Sequence, residues 1–286
     1  MLKDNSGSEF QFLRLSITEA CNFRCQYCLP NGYQGPAQSS FLTISEIDTL
    51  VSTFDQLGTS EIRTTGEKPS LYKGLADIIE TCAQTPSIQK VALTTHGAIL
   101  GRLAARWARA GCSQVKVSVD SRDPVQFSAI PGQDKLKVIL SGIHQALAHG
   151  LSVKINEVTR AGYAKGRLKR FLSWIKDKPV SVKLIELMQT GEQRQRFFQQ
   201  HQSGQSLLEE LVADGWVEII RDLDAGPTRE FCNPDYVDNI EFILPYSKDF
   251  CQNRNRLRVS APGNLHLCLF SEEGISNRGY LKTKKR

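Results

Sequence analysis

Apolar residues along the first two thirds of the chain alternate between two spacings. Short apolar runs or every-second-place alternation mark strands, and apolar residues three and four apart mark helices. Strands are predicted at Phe12–Ile17, Ile62–Thr65, Lys90–Thr95, Gln114–Val119, Leu151–Val158 and Val180–Leu187. Thr43-Ile-Ser-Glu46 reads as a capping box, opening a helix with Ile47, Leu50, Val51 and Phe54 on one face and Gly58 at its end. Further helices are predicted over Leu71–Gln84, Ile99–Ala110, Lys135–His149 and about Lys165–Lys176, with Gly111 and Gly150 as stops.

Strands alternating with helices imply βαβ units, a parallel sheet and the α/β class. In such sheets reactive groups collect on the loops beyond the carboxyl ends of the strands. After about residue 190 the alternation stops. Gln193–Ser206 is polar and Gln-rich and reads as a solvated linker. Leu207–Ala213 reads as a helix, and Val217–Ile220, Ile240–Leu244, Leu257–Ser260 and Leu265–Leu269 as short strands.

The 286 residues, 40% hydrophobic, suffice for a sizeable core. No signal-peptide layout and no membrane-length apolar run is present, which places the chain in the cytoplasm without a membrane partner. In that reducing setting, clustered cysteines bind metal more often than they pair as disulfides. The net charge of +6 fits an anionic substrate and does not call for nucleic acid.

Cys21, Cys25 and Cys28 form a CxxxCxxC loop directly after the first predicted strand, where the topology puts reactive groups. Three thiolates at this spacing can hold three corners of a four-iron cluster and leave the fourth iron open to a small molecule. Reductive cleavage of S-adenosylmethionine (SAM) is chemistry that needs such an open iron. Zinc fits less well, because it takes four closed ligands and the chain has no second CxxC. Three neighbouring cysteines cannot pair among themselves.

With Tyr27 before the last cysteine, this loop resembles the signature of the radical SAM superfamily. From about Phe12 to Phe270 the chain resembles the GTP 3′,8-cyclase family of molybdenum-cofactor biosynthesis. That resemblance implies a partial (β/α)6 radical SAM barrel over 1–190. A small C-terminal β-rich extension, 191–286, would cover the barrel mouth. Leu13-Arg-Leu-Ser-Ile-Thr carries it at the first strand, with Arg14 serving the nucleotide. Ile62-Arg-Thr-Thr-Gly66 leads into the SAM turn, which implies nucleotide contact by Arg63 and SAM contact by Gly66, Glu67 and Tyr27. Leu93-Thr-Thr-His-Gly97 is similar to a Thr-Thr-Asn-Gly turn, implying a substrate role for Thr94. Val117-Ser-Val-Asp-Ser121 implies SAM contact by Ser118. Val153-Lys-Ile-Asn156 and Ile185-Glu-Leu-Met188 imply Lys154 for the nucleotide and Met188 for the adenine pocket. The segment around Cys251 and Cys268 resembles the family's second-cluster region, with Arg256, Leu257 and Arg258 on the triphosphate. Arg14, Arg256 and Arg258 are the residues the resemblance places in catalysis. Alone, Ser118, Met188 and Thr94 are ordinary strand-end residues, and Lys154 is a snorkelling lysine. Their order around the cysteine loop lifts them.

Three departures stand against these matches. The SAM turn reads Gly66-Glu67-Lys68-Pro69 where the family has Gly-Gly-Glu-Pro, and a side chain at the second place narrows the backbone's approach. The second-cluster segment has Arg254 in the middle cysteine place, so either Cys232 completes the ligand set or no cluster forms there. The chain ends at Leu281-Lys-Thr-Lys-Lys-Arg286, without the family's terminal Gly-Gly. The resemblance implies a SAM-dependent rearrangement of GTP, or of another polyanion, with a flavodoxin-like electron donor and a homodimer. A divergent paralogue on another substrate, or a silent scaffold of the same fold, are the alternatives.

Overall fold

The computed structural model describes residues 9–35, 37, 40–66, 69–162, 165–189, 194–221, 226–248, 250, 255–268 and 274–282. Six strands joined by helices come first. The strands are β1 (Phe12–Ser16), β2 (Glu61–Thr65), β3 (Lys90–Thr95), β4 (Gln114–Ser118), β5 (Ser152–Thr159) and β6 (Val180–Glu186). The helices between them are α1 (Ile44–Gln56), α2 (Leu75–Gln84), α3 (Leu100–Arg109), α4 (Pro124–Ala129), α5 (Leu136–Ala148) and α6 (Lys165–Ile175). The barrel strands lie within a residue of their predicted ends.

The C-terminal third adds α7 (Arg194–Gln200), α8 (Gln205–Ala213), β7 (Val217–Ile219), β8 (Arg229–Cys232), β9 (Ile240–Ile243), β10 (Arg256–Val259), β11 (Asn264–His266), β12 (Ile275–Ser276) and α9 (Arg278–Leu281). Two predictions need correction. The 193–206 linker is largely helix, covered by α7 and the start of α8. α7 buries no side chain, so it shows none of the apolar stripe by which helices are read from sequence. The Leu71–Gln84 helix starts only at Leu75, because Pro69–Leu71 forms a short 3₁₀ turn and Gly74 caps α2.

The described strands form one sheet ordered β12-β11-β10-β1-β2-β3-β4-β5-β6-β9-β8-β7. From β10 to β9 the neighbours run parallel, and antiparallel strands finish both edges. The C-terminal strands therefore continue the barrel wall at both ends. Side chains of alternate parity divide the wall into two faces. Leu13, Ile62, Leu93, Val117, Ile155 and Val182 join one apolar cluster with α1 to α6, including Trp107 and Phe171. Burying each such side chain contributes about 1.5–3 kcal/mol. α3 and α5 cross closely at Gly101 and Gly142. A Cβ on Gly142 would come 3.0 Å from the Gly101 nitrogen.

The predicted capping box is present: Glu46 N–H donates to Thr43 Oγ1 and Thr43 N–H to Glu46 Oε2. Arg278 of α9 reaches the same Glu46 and the Phe41 carbonyl, tying the C-terminal helix to α1. Among the described residues no helix is long and apolar enough to cross a membrane.

Candidate active site

The opposite strand face is polar and encloses two cavities, of about 340 and 180 Å³. Both are lined by Arg14, Thr94 and Arg258, so they meet along the barrel axis.

The larger, front cavity is bounded by the cysteine loop. Cys21, Cys25 and Cys28 all line it, and none is in a disulfide. Backbone bonds set the loop's shape. The N–H groups of Cys28 and Leu29 both reach the Cys25 carbonyl, each at 3.0 Å, and Arg24 N–H reaches the Pro131 carbonyl. Phe23 N–H donates to Cys21 Sγ at 3.4 Å, orienting that sulfur in the loop. Cys82 and Cys112 differ: burial drives both thiols up to about 12, so they are inert core residues.

Gly66 ends β2 with φ of +129°, and a Cβ there would lie 2.1 Å from the Thr18 carbonyl oxygen. Glycine is therefore obligatory where the turn presses on the segment leading to the cysteines. Glu67 lies outside the described residues.

Tyr27 donates its hydroxyl to Asp120 Oδ2 at 2.7 Å, while Val158 N–H donates to Asp120 Oδ1 at 3.0 Å. Burial is the chief cause raising the Tyr27 hydroxyl well above its ordinary range; Asp120, Cys25 and Cys28 add to it. The phenol thus stays protonated. His96 stacks on Phe23 with ring centroids 4.0 Å apart. Its Nδ1 accepts the Ala98 N–H, which leaves Nε2 to donate to Asn22 Oδ1 at 3.3 Å. The β3 turn is thereby fastened to the cysteine loop. Ser118 lines the same cavity with Ser16, Thr18 and Thr65, a hydroxyl-rich wall.

The rear cavity has a cationic wall of Arg14, Arg63, Lys116, Lys183, Arg256 and Arg258. Facing it is an apolar wall that includes Ile185, Met188, Pro227, Ile243, Phe250 and Leu267. Arg256 is pushed down to about 10, first by burial and then by Arg63 and Arg258. Met188 stands in this rear wall. Leu257 points to the opposite face of β10 and into the core.

Lys154 lines neither cavity; its ammonium is paired with Glu241. Lys183 holds the other oxygen of that carboxylate at 2.5 Å. Burial works to raise the Glu241 carboxyl, but Lys183 and Lys154 outweigh it and hold it well below the usual range. Glu241→Gln is expected to cost about 3–5 kcal/mol of stability at pH 7 by leaving two enclosed ammonium groups without their counter-ion. A depressed folded pKa contributes stability above the unfolded value, about 4.3, that is lost as pH falls through the folded value. Denaturant melts at pH 7 and near pH 3 should therefore show the gap between variant and wild type narrowing in acid.

Cys268 lines the rear cavity, whereas Cys232 pairs with Val217 at the far sheet edge and lines neither cavity. Cys251 and Arg254 lie outside the described residues. The described residues thus bring one cysteine to the rear site and do not supply a second cluster's thiolates. At the front the fit is good: three thiols outside any disulfide share one cavity, backed by a turn that admits no Cβ. No three His, Cys, Asp or Glu side chains among the described residues converge on a single metal ion. A cube of four irons instead spreads its thiolates over separate corners.

The sequence reading missed Asp120, Lys116, Lys183 and Glu241. Their signal was the polar face of strands whose other face is apolar, as in Gln114-Val-Lys-Val-Ser118.

Residues 15–175 match the family model of the radical SAM superfamily, and residues 180–286 that of Molybdenum Cofactor Synthesis C. A GTP 3′,8-cyclase of Tolumonas auensis is 47% identical over 287 residues, covering all of this chain and 85% of the relative. The GTP 3′,8-cyclase of Vibrio parahaemolyticus is 46% identical, covering 98% of this chain and 85% of the relative. Among solved structures, Streptococcus suis SuiB bound to S-adenosylmethionine superposes with a TM-score of 0.65 at 11% identity. That match covers 95% of this chain and 64% of SuiB, and is a likeness of fold.

Proposed function

The chain belongs to the GTP 3′,8-cyclase family of the radical SAM superfamily, and from that premise we propose that it rearranges GTP towards the cyclic pyranopterin precursor of molybdenum cofactor. The observation that carries the reading is the junction of a thiol-lined cavity and a cationic cavity at Arg14, Thr94 and Arg258.

Cys21, Cys25 and Cys28 would hold a [4Fe–4S] cluster, which would supply the electron for reductive cleavage of the SAM sulfonium. Gly66 lets the turn approach the methionyl end of SAM, and Glu67 takes its ammonium group. Ser118 offers a hydroxyl to the adenosyl part, whereas Met188 belongs to the apolar wall of the rear cavity, against the nucleotide. Tyr27, kept protonated on Asp120, steadies the loop between Cys25 and Cys28 without taking a proton from the site. Arg63, Arg256 and Arg258 hold the triphosphate, with Arg14 and Thr94 aligning the ribose at the junction. Lys154 acts on the same ligand through Glu241, which it shares with Lys183. The apolar rear wall covers the base and keeps water from the reacting carbon. A flavodoxin-like donor, a cytoplasmic setting and a homodimer complete the reading.

The test is anaerobic incubation of the reconstituted chain with SAM, GTP and a strong reductant. The expected result is 5′-deoxyadenosine formed together with the rearranged nucleotide. The rear cavity's single described cysteine favours a second reading, a divergent paralogue acting on another polyanion. SAM cleavage with GTP left intact would select that one. A chain that carries four irons yet never cleaves SAM would be a scaffold.

A further inference from the structure

Lys116 is assigned no role by the resemblance to the cyclases, yet it lies at the centre of the cationic wall. It projects from the inward face of β4, is 6% exposed, and lines the rear cavity. In register it sits beside Thr94 of β3 and Lys154 of β5. The surrounding wall presents charge from nearly every strand. Arg14 comes from β1, Arg63 and Glu61 from β2, Lys90 from β3, Lys183 from β6, Glu241 from β9, and Arg256 and Arg258 from β10. The Cys268 thiol adds to the lining beyond β11. Asp238, ahead of β9, faces Lys154 and Glu241.

The two carboxylates nearest this wall, Glu61 and Glu241, are already engaged. Glu61 holds Arg63 at 2.7 Å and Lys90 at 3.6 Å, and Glu241 holds Lys154 and Lys183. Among the described residues, no carboxylate makes an ion pair with Lys116. An amine enclosed among cations and left without its own counter-ion is driven to its neutral form. Burial is the largest cause here, Arg63 and Lys183 add to it, Glu241 opposes it, and the balance brings Lys116 down to about 5.

We propose that Lys116 is a further binding cation of the rear cavity, uncharged before the anion arrives and protonated as a polyphosphate enters, so that ligand capture takes up one proton. This rests on the reading of the rear cavity as the nucleotide site. The balance is simple: the neutral amine, one proton from solvent and the phosphate oxygens give an ammonium–phosphate pair, with no electron transferred. A polyanion alters each term that holds the amine neutral, because it offsets Arg63 and Lys183 and accepts the new N–H bonds. Lys183 differs, since it keeps Glu241 as a standing partner. Linkage then gives the sign: while one proton is taken up, each unit of rising pH weakens binding by up to about tenfold.

The experiment is calorimetric titration of GTP into the anaerobically reconstituted chain at pH 7.5, in HEPES and in Tris, with no phosphate present. These buffers differ in ionisation heat, so the proton count can be read directly. Wild type is expected to take up about one more proton per GTP than Lys116→Arg, whose guanidinium is charged throughout. Subtracting the two removes any proton exchanged by GTP itself. Lys116→Met is expected to lose the extra proton too, and to bind at least about tenfold more weakly. Equal proton counts in wild type and both variants, with GTP still bound, would overturn the role of Lys116 and leave the nucleotide site standing. Failure of wild type to bind GTP would overturn the site reading itself, and this inference with it.

Discussion

Cys25→Ala is expected to abolish reductive SAM cleavage and to bring iron content from about four per chain to background. Among the described residues no fourth cysteine lines the front cavity, where each of the three loop cysteines would have its own corner to fill. The loop should survive the change, because the bonds from Cys28 and Leu29 end on the Cys25 carbonyl and not on its sulfur. Loss of activity would then reflect ligand loss, not collapse. Cys112→Ala is the control: that thiol is buried, pushed up to about 12, and should leave iron content and cleavage unchanged. Iron and sulfide analysis with chromatography of 5′-deoxyadenosine reads both. A full complement of iron in Cys25→Ala would remove the front assignment.

The double variant Arg256→Ala/Arg258→Ala is expected to weaken GTP binding at least about a hundredfold. Charge-assisted bonds contribute roughly 1.5–3 kcal/mol each where water is excluded, and about 1.4 kcal/mol is one decade. Leu257 and Val259, on the other face of β10, lie in the apolar core and are untouched. The same substitutions relieve repulsion between Arg63, Arg256 and Arg258, which burial intensifies. The ligand-free variant should therefore melt no lower than wild type while binding fails, an opposition expected where stability is traded for function. Equilibrium binding and thermal melts on one preparation settle it, and unchanged affinity would end the triphosphate-clamp assignment.

The barrel was legible because its strands are apolar on one whole face, so Val91 and Leu93 mark β3 and Val115 and Val117 mark β4 even with Thr94 and Lys116 on the other face. Those intervening residues made the other face invisible as a site. From sequence, Lys116 and Lys183 look like solvated strand residues, and it takes curvature of the sheet to turn them towards one another. The cysteine loop was legible because its chemistry is local, all three ligands lying within one turn of chain. The Tyr27–Asp120 bond was not, because its partners lie far apart along the sequence. α7 reads as linker from sequence since nothing in Arg194–Gln200 is buried. It is held instead by contacts to remote parts: Arg196 donates to the Gln26 carbonyl, and Gln200 accepts from Ala161 N–H. β8 was hidden because Arg229 and Glu230 open it with charge and Phe231 is its one buried side chain.

Pairing of β1 with β10 sets a timetable for synthesis. Leu13 finds Leu257 only after almost the whole chain has left the ribosome. At roughly 5–20 residues per second, the N-terminal edge of the nascent sheet waits on the order of ten seconds or more with its backbone groups unpaired. β6 has a shorter wait for β9 on the opposite edge. An unpaired parallel edge is a template for joining another chain, so the newborn half-barrel is the stage most exposed to aggregation. Slower elongation or a truncated message would lengthen that exposure, and a holding chaperone would shorten its consequences.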